Sequence, residues 1–437
     1  MKKSLLLALF VAQVCVYGQT PILSKWIINT TGKTASYWQN TSSGPTPTWV
    51  FNTTTDSADV QKVCYTTDSV YVKATGMTDN MGKYLNPGAC STQTYVYCFP
   101  RNPVVPTTKT AAPTNFAVGA LLNGIPIFGR AGGQSWSGSS NVFGGPQIWN
   151  TEVYLGEGVS LDTAFGAHPQ QQGQYHSHAK PYRLYEHTPT TQHSPIIGFA
   201  FDGYPVYGPY GYSSAMNSSS SVTRMKSGYS LRNITVRHTL PDGTVLTSAN
   251  YGPNVSTTYP LGEYCEDYEW LSSNGGDLDA YNGRFCVTPE YPSGTYAYFT
   301  TLTSALAPQY PYYIGDYYYG TPNAGNFSGG CLTRVMPSSG LTCVSATGIF
   351  EANSTKKFAI VPNPNSGQFT IQLNDGFAAE SGSIKMYNGL GELVHETALK
   401  TTSTIINLSK SIQPGIYFIH LTNGNGQTQE VKKVVVE

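Results

Sequence analysis

The sequence predicts a nearly all-β protein, because its composition favours strands and tight turns over helices. The 437 residues include 32 tyrosines, 45 glycines and 28 prolines. Tyrosine, threonine and valine are enriched in strands, whereas glycine, proline, asparagine and aspartate supply turns. Charged residues make up 11% of the chain, and its formal net charge is zero. Without a long basic run, neither nucleic acid nor an anionic membrane surface is expected as the main partner.

The first 18 residues have the pattern of a secretory signal peptide. Two lysines precede an apolar run over residues 5–16, which is too short to span a bilayer. The sequence VYG, which ends at Gly18, is an acceptable cleavage site, so the mature chain is expected to begin at Gln19. A lipid anchor on Cys15 is the alternative. No later stretch is apolar for long enough to cross a membrane, so we expect no transmembrane segment in the mature chain.

Removal of this signal leaves seven cysteines, and an exported protein should oxidise them. An odd number leaves one thiol over, and sequence alone does not determine the connectivity. Proximity along the chain favours three local disulfides and one unpaired cysteine: Cys90–Cys98, Cys265–Cys286, Cys331–Cys343 and the unpaired Cys64.

The body of the chain, residues 19–343, contains an echo of itself. NGIPIFG at 123–129 is answered by DGYPVYG at 202–208. Each begins with Asn-Gly or Asp-Gly, the pairs that favour tight hairpin turns. In a second echo, LDTAFG (161–166) leads to GQYHSH (173–178), and LDAYNG (278–283) leads to GTYAYF (294–299). We therefore predict two related β-rich halves, although short Gly, Pro and Tyr motifs also recur by chance in such a composition.

If the duplication is real, the polar chemistry belongs to one half only. The positions of His176 and His178 in the first half align with Ala297 and Phe299 in the second. The second copy would then serve as a packing element.

The C-terminal region predicts a small β-sandwich. Residues 344–356 are small and polar with little periodicity, as in a linker. Residues 357–437 contain seven strand-like runs separated by turn sequences such as NPNSG and TNGNG. Seven short strands in about 80 residues are typical of an Ig-like sandwich. The runs are Phe358–Val361, Gln368–Leu373, Ser383–Tyr387, Glu392–Glu396, Thr404–Leu408, Gly415–Leu421 and Glu430–Val436.

Four blocks of this region resemble the type A sorting domain of type IX secretion in Bacteroidetes. They are VPNPNSGQFTI (361–371), IKMYNGLGELV (384–394), GIYFIHL (415–421) and VKKVVVE (431–437). The resemblance implies passage through the outer membrane by the type IX secretion machinery. Removal of this domain and release, or attachment at the cell surface, would follow. An ordinary Ig-like module is the alternative.

The candidate chemistry lies in histidines, since five of the eight fall within 26 residues: His168, His176, His178, His187 and His193. Residues i and i+2 of a strand face the same side, so His176 and His178 present two imidazoles to one point. Such a pair is a bidentate ligand for Cu or Zn. The third ligand would be His168, which lies beyond a Pro-Gln-Gln-Gln-Gly turn, or His193.

Asp162 or Glu152 would supply an oxygen ligand to this site. Open coordination positions would allow a metal-assisted hydrolase or a copper oxidase, whereas a closed site would be structural. The alternative is that these histidines hydrogen-bond to backbone groups and tyrosine hydroxyls in a polar β core. His187, in the loop YEHTP, is expected to be exposed.

Long motifs across residues 120–320 resemble the YHYH domain family. They are GAHPQQQGQYHSHAKPYRL (166–184), HSPIIGFAFDGYPVYGPYGY (193–212), LDAYNGRFCVTPEYPSGTYAYF (278–299) and YPYYIGDYYYG (310–320). One departure is that the Tyr-His-Tyr-His of the family is Tyr-His-Ser-His here, with Ser177 in third place. That change is tolerable if Ser177 faces away from the site. The resemblance implies a fold and a motif but no substrate.

The remaining features carry weaker predictions. Four polar residues are expected to form turns: Asp202, Asp279, Asn282 and Arg284. The alternatives are a functional carboxylate for the first and an ion or ligand site for the other three. The acidic stretch 263–269 is expected to be a solvated loop rather than a Ca²⁺ site. The tyrosines at 312–319 would either stack on sugar rings or pack in the core. No Gly-x-Ser-x-Gly, His-Glu-x-x-His or phosphate-loop motif is present.

The sequence thus predicts a secreted or cell-surface protein with a histidine-rich Cu or Zn site, and no motif specifies a reaction. The rival prediction is a non-catalytic extracellular module that binds glycans or small molecules or mediates adhesion. A third possibility is a structural surface protein whose histidines belong to a hydrogen-bonded core.

Overall fold

The structure is a computed structural model, and it describes residues 20–42, 46–86, 88–326 and 335–344 of the body. In the C-terminal region it describes 358–361, 365, 367–373, 382–388, 391–399, 401, 403–408, 412–422 and 428–436. The chain divides into two compact units, Met1–Gly348 and Ile349–Glu437. The predicted signal peptide, most of the predicted linker and Cys331 lie outside the described residues. None of the described helices is long and apolar enough to cross a membrane.

Strands are the main regular structure of the first unit, as the composition predicts, and its described residues also include two short α-helices and several single 3₁₀ turns. The helices are α1 (Pro21–Ser24) and α2 (Val153–Glu157). The strands are β1 (Thr34–Asn40), β2 (Trp49–Ser57), β3 (Val60–Tyr65), β4 (Ser69–Ala74), β5 (Tyr95–Pro100), β6 (Ala117–Leu121), β7 (Pro126–Phe128), β8 (Ala131–Trp136), β9 (Asn141–Phe143), β10 (Asn150–Glu152), β11 (Ala167–Pro169), β12 (Tyr175–Ser177), β13 (Ile196–Ala200), β14 (Pro205–Tyr207), β15 (Tyr210–Tyr212), β16 (Val222–Arg224), β17 (Tyr229–Leu231), β18 (Tyr268–Trp270), β19 (Gly283–Cys286), β20 (Thr295–Phe299) and β21 (Thr342–Cys343).

The largest sheet has eight strands in the order β11-β12-β7-β6-β13-β14-β20-β19. The pairs β12–β7 and β14–β20 are parallel, and the other five pairs are antiparallel. The order is symmetric about the contact between β6 and β13. From that contact outward, each half runs through an antiparallel hairpin, a parallel step and a second antiparallel hairpin. This topology confirms the two related halves predicted from the sequence echo.

The structural repeat is longer than the motif that revealed it. Residues 117–129 and 196–208 align without a gap, and each forms a strand, a tight turn and a second strand. In the turns, Gly124 and Gly203 have φ angles of 82° and 86°. A residue with a Cβ rarely adopts such angles, which explains the Asn-Gly and Asp-Gly pairs.

Glycine also allows the two halves to meet at the centre of the sheet. A Cβ on Gly119 would lie 2.5 Å from the carbonyl oxygen of Phe199. A Cβ on Gly198 would lie 2.4 Å from the carbonyl oxygen of Ala120. Each half therefore contributes one glycine to the same close backbone approach.

Both halves close their outer hairpin in the same way. Tyr175 donates its hydroxyl hydrogen bond to Asp162, and Tyr296 donates to Asp279 Oδ1 at 2.8 Å. Each aspartate also accepts two backbone N–H bonds from the turn that follows it. The repeated LD motif therefore forms a turn around the aspartate carboxylate, and the tyrosine of the following strand anchors that carboxylate.

Aromatic side chains join this sheet to the four-stranded sheet β21-β3-β4-β5. Trp26 is fully buried, and its ring lies 5.3 Å from Phe99 of β5 and 5.4 Å from Phe199 of β13. Phe201 lies 5.7 Å from Phe99. Such pairs contribute about 0.5–1.5 kcal/mol each beyond their area burial. The hydrophobic core of the first unit therefore includes side chains from both sheets.

Strand pairing corrects the predicted disulfides. Cys343 on β21 lies opposite Cys64 on β3, and the two form a disulfide. The predictions that Cys64 is unpaired and that Cys343 pairs with Cys331 were wrong, because strand pairing joins residues 279 positions apart. The other two predicted disulfides were also wrong, since their four cysteines are free and buried at separate places in the fold: Cys90, Cys98, Cys265 and Cys286.

The second unit has the seven strands that the sequence predicts. They are β22 (Phe358–Val361), β23 (Gln368–Leu373), β24 (Ser383–Tyr387), β25 (Leu393–Ala398), β26 (Ser403–Asn407), β27 (Gly415–Thr422) and β28 (Thr428–Val436). They form a three-stranded sheet, β22-β23-β26, and a four-stranded sheet, β25-β24-β27-β28. The two sheets share one core, which includes Phe369, Ile371, Ile419 and Val434, as in a β-sandwich.

Candidate metal centre

Three of the predicted histidines meet on one face of the outer hairpin in the first half. β11 and β12 are antiparallel, and His168 lies directly opposite His176. His178 follows two residues later, so it projects from the same face. The predicted turn joins the two strands and contains Gln172 at a φ angle of 65°. Residues that are local in sequence therefore supply all three imidazoles.

The three rings form a close and buried cluster. The ring centroid of His176 lies 4.9 Å from that of His168 and 4.7 Å from that of His178. One ring nitrogen from each residue lies within 4.8 Å of the others. The residues are 4%, 2% and 2% exposed in chain order, and Phe128 packs 4.1 Å from the His176 ring. Nitrogens around a tetrahedral zinc ion are about 3.4 Å apart, so a small contraction would bring the cluster to ligand distance.

Hydrogen bonds determine which nitrogen of His176 and His178 is free. His176 Nδ1 lies 3.0 Å from the carbonyl oxygen of Gln174, and His178 Nδ1 lies 3.0 Å from that of Gly129. A carbonyl oxygen only accepts, so each Nδ1 carries the hydrogen and donates it. In the neutral rings, Nε2 therefore keeps its lone pair.

The same conclusion holds for His168. Its Nδ1 lies 2.8 Å from Ser160 Oγ and 3.0 Å from Asn86 Oδ1. The Ser160 hydroxyl donates to the carbonyl oxygen of Glu157, and the Asn86 amide nitrogen donates to that of Pro169. Both groups therefore face the ring with an acceptor oxygen, and His168 Nδ1 must donate to them. In the neutral ring, the lone pair of His168 therefore also lies on Nε2.

Burial favours the uncharged form of His176 and His178. The pKa of His176 is held well below its ordinary value. The largest cause is loss of hydration on burial, and the neighbouring imidazoles of His178 and His168 add to it. Burial and the neighbouring His168 lower the pKa of His178 to about 4. Neutral imidazole is the form that binds metals. At neutral pH these two rings therefore hold no proton that a metal would have to displace.

A carboxylate that the sequence analysis missed lies beside the cluster. Glu157 is the last residue of α2, and its Oε2 lies 3.3 Å from His168 Nε2. Its side chain is 26% exposed, whereas that of His168 is 5% exposed. Glu157 sits between two glycines in a run with no metal motif, so no sequence signal marked it.

The two carboxylates that the sequence did suggest face elsewhere. Asp162 accepts hydrogen bonds from Tyr175 and from the backbone of Ala164 and Phe165. Alternation along β12 places Tyr175 on the face opposite the imidazoles. Glu152 caps the N-terminus of α2 and accepts from Tyr312. The suggestion that either supplies an oxygen ligand was therefore wrong, because turn and helix capping occupy both.

His193 is not brought to the cluster, although it was an alternative third ligand. Its ring lies in the second half against Tyr207, Tyr212 and Phe299, with centroid distances of 5.1, 4.9 and 5.9 Å. Its Nδ1 lies 2.8 Å from the carbonyl oxygen of Ser194, so Nδ1 donates. The side chain of His187 is 58% exposed, as predicted for a loop residue.

Ser177, the departure from the family motif, faces away from the imidazoles. Its Oγ donates to the carbonyl oxygen of Phe165 at 2.6 Å and lies 2.7 Å from the hydroxyl of Tyr313. It is fully buried on the face that also holds Tyr175. The loss of a tyrosine at this position therefore leaves the histidine face unchanged.

The tyrosine-rich segment proves to be packing rather than an open surface. Tyr312, Tyr313 and Tyr318 are 3%, 1% and 0% exposed. The ring of Tyr319 stacks on Tyr296 with centroids 3.5 Å apart. Tyr317 is the exposed tyrosine of this segment, at 45%, so one aromatic side chain rather than a row of them faces solvent.

The other polar predictions have mixed outcomes. The side chains of Asp202 and Asp279 accept backbone hydrogen bonds in turns, as predicted. Arg284 is not a turn residue: its guanidinium lies over Phe299 and donates to the backbone of Tyr212.

The acidic stretch is not a simply solvated loop, because two of its carboxylates have partners. Asp267 is fully buried and forms two hydrogen bonds of 2.7 Å with the guanidinium of the fully buried Arg237. Glu266 accepts from the backbone and side-chain amides of Asn150, and burial raises its pKa to about 7. Both carboxylates therefore stabilise the packing around the acidic stretch.

Comparisons with known families agree with this architecture. Residues 96–313 match the profile of the YHYH protein family, and residues 359–437 match that of the secretion system C-terminal sorting domain. Both resemblances inferred from the sequence are confirmed. The sorting domain marks a secreted or cell-surface protein that interacts with the type IX secretion machinery. No curated protein matches the chain.

Proposed function

We propose that this chain, which belongs to the YHYH protein family, is an extracellular metalloprotein. It binds one Cu or Zn ion through His168, His176 and His178. The observation that carries the proposal is the shared hydrogen-bond pattern of the three rings. Each Nδ1 donates to an acceptor, so each ring offers the Nε2 lone pair within one buried cluster.

The ligand set supports this choice of metals. Three imidazoles without a thiolate suit Zn²⁺ and Cu²⁺, and the general affinity order of first-row divalent ions favours Cu²⁺. Carbonyl and amide oxygens that accept from Nδ1 orient the rings and raise the basicity of Nε2. A bound ion would supply Lewis acidity, which polarises a substrate or activates water. The protein residues would hold the ring orientations and exclude bulk water.

Metal content tests the proposal directly. The secreted protein, purified without a histidine tag, should contain about one equivalent of Cu or Zn by plasma mass spectrometry. The double variant His176→Ala, His178→Ala should lose it, because two of three ligands are gone. His193→Ala is the matched control, since it removes a buried histidine outside the cluster and should retain the metal. A metal-free protein that takes up no Cu or Zn on addition would refute the proposal.

The glycan-binding alternative receives no comparable support. Its argument rested on the tyrosine-rich segment, in which the tyrosines at 312, 313 and 318 are buried and Tyr317 is exposed. If the protein proved metal-free, the histidines would belong to a hydrogen-bonded core and a binding module would become the better description.

A further inference from the structure

The geometry points to Glu157 as a fourth ligand, which occupies the solvent-facing side of the candidate centre and must be displaced before an external ligand can enter. This inference rests on the proposed function. It adds a residue that the sequence did not mark and assigns it the role of a gate.

Glu157 is in direct contact with His168. Oε2 of the carboxylate lies 3.3 Å from Nε2 of the ring. In the neutral form of the ring, the Nδ1 hydrogen is committed to Ser160 and Asn86, so Nε2 is an acceptor, as is an ionised carboxylate. Two acceptors that face each other at this distance need a cation between them, which is either a proton on Nε2 or a metal ion. A metal ion held by the neighbouring imidazoles would serve both atoms.

Glu157 would also balance part of the charge of a bound ion. A divalent ion among neutral imidazoles would bring two uncompensated charges into a buried site, which costs several kcal/mol per charge. Asp162 faces the other side of the sheet, so it does not compensate them. Glu157 supplies one negative charge, and it acts electrostatically on His178 as well as contacting His168.

The surrounding chain is shaped to hold this carboxylate. A Cβ on Gly132 would lie 3.2 Å from both Cδ and Oε1 of Glu157, so a side chain there would press on the carboxylate. The carbonyl oxygen of Glu157 accepts the Ser160 hydroxyl at 2.7 Å, and Ser160 in turn orients His168. Glu157 therefore positions the His168 ring indirectly, through its backbone carbonyl and Ser160, and also faces that ring with its own carboxylate.

The partial exposure of Glu157 gives it the role of a gate. The three histidines are nearly inaccessible, whereas about a quarter of the Glu157 side chain is in contact with solvent. The fourth position is therefore the side from which a small anion or a substrate oxygen arrives. With Glu157 in place the site is closed, and with Glu157 displaced it has the open position that catalysis requires.

Cobalt substitution tests this assignment. The full chain is freed of metal with a chelator and titrated with Co²⁺, and visible absorption reports the coordination number. The wild type should bind one Co²⁺ with a four-coordinate spectrum that azide changes little. Glu157→Gln should bind Co²⁺ at least about ten-fold more weakly, since even outer partners of a ligand contribute that much. Its spectrum should respond to azide, because water now holds the fourth position.

Glu186→Gln is the matched control, because Glu186 Oε1 lies 3.4 Å from His187 Nε2 at a site outside the cluster. It should behave as the wild type, and Glu157→Asp should restore part of the affinity. A wild type that binds no Co²⁺ would overturn the metal site itself. A wild type that binds Co²⁺ while Glu157→Gln shows the same affinity, spectrum and azide response would overturn the ligand role alone. Glu157 would then be only the ion-pair partner of a protonated His168.

Discussion

The two halves of the central sheet share a backbone but differ in chemistry. In the first half, His168 lies opposite His176, with His178 two residues on. In the second half, the corresponding strand pair places Arg284 opposite Ala297, with Phe299 two residues on. Three substitutions on one face therefore separate a candidate metal site from a packed aromatic surface. The comparison teaches that this scaffold positions three side chains without specifying what they are.

The second half shows how the same face is filled without a metal. Ala297 and Phe299 are fully buried, and His193 enters from a separate loop against Phe299. His193 Nε2 and Arg284 Nε are buried without a hydrogen-bond partner among the described residues. An unsatisfied buried group of this kind costs about 1–3 kcal/mol. The second half therefore keeps buried polar atoms that lack a hydrogen-bond partner in the described part of the chain. In the first half, the Nδ1 atom of each imidazole in the cluster has such a partner.

Removal of the aspartate that anchors each hairpin should give the largest effect. Asp162→Ala leaves a tyrosine hydroxyl and two backbone amides unpaired in a fully buried site, so the free energy of unfolding should fall by about 4 kcal/mol. Metal content should fall with it, because the hairpin that carries the histidines loosens. Asp279→Ala should reduce the free energy by about 2 kcal/mol, since water reaches that partly exposed site, and should retain the metal. Urea titration and metal analysis check both. Equal metal loss in the two variants would contradict the assignment of the site to the first half.

Transfer of one residue from the second half to the first should change the pH dependence. His178→Phe introduces the counterpart of Phe299. The folded pKa of His178 is about 4, below the about 6.5 of an unfolded histidine. The unfolded state therefore takes the proton first, and the metal-free wild type should lose about 3 kcal/mol relative to the variant as pH falls from 6.5 to 4. Unfolding of both proteins in chelator measures this. Parallel curves would mean that His178 is hydrated in the folded protein.

The glycines at the centre test how closely the two halves are joined. Gly119→Ala and Gly198→Ala each place a methyl group about 2.5 Å from a backbone oxygen of the other half. Each should lower the free energy of unfolding by about 2 kcal/mol, because backbone on both sides must shift. Thermal unfolding compares them with Gly88→Ala, where a Cβ meets nothing within 4 Å. An effect no larger than that of Gly88→Ala would show that the halves separate easily.

The smallest expected effect concerns the residue that departs from the family motif. Ser177→Ala removes two buried hydrogen bonds, so the free energy of unfolding should fall by about 1 kcal/mol. Metal stoichiometry should not change, because Ser177 faces away from the imidazoles. Loss of metal in this variant would mean that both faces of β12 act on the site.

Sequence reasoning predicted much of the fold because its signals are local. The composition predicted the strands, and the turn sequences bounded the seven strands of the second unit. The Asn-Gly and Asp-Gly echo predicted the duplication, since a positive φ is a property of single residues. It failed for the disulfides, because Cys64 and Cys343 meet only through the pairing of β3 with β21.

The candidate site divides in the same way. That His176 and His178 share a face was determined by the sequence itself, because alternation in a strand needs no partner. The choice of His168 over His193 was decided by the register of a hairpin, and the position of Glu157 by the packing of α2 beside it. The register depends on how two strands pair, and the packing depends on contacts between segments distant in the chain. A periodic pattern in one segment carries no information about either. Only the tertiary structure could decide which groups complete the site.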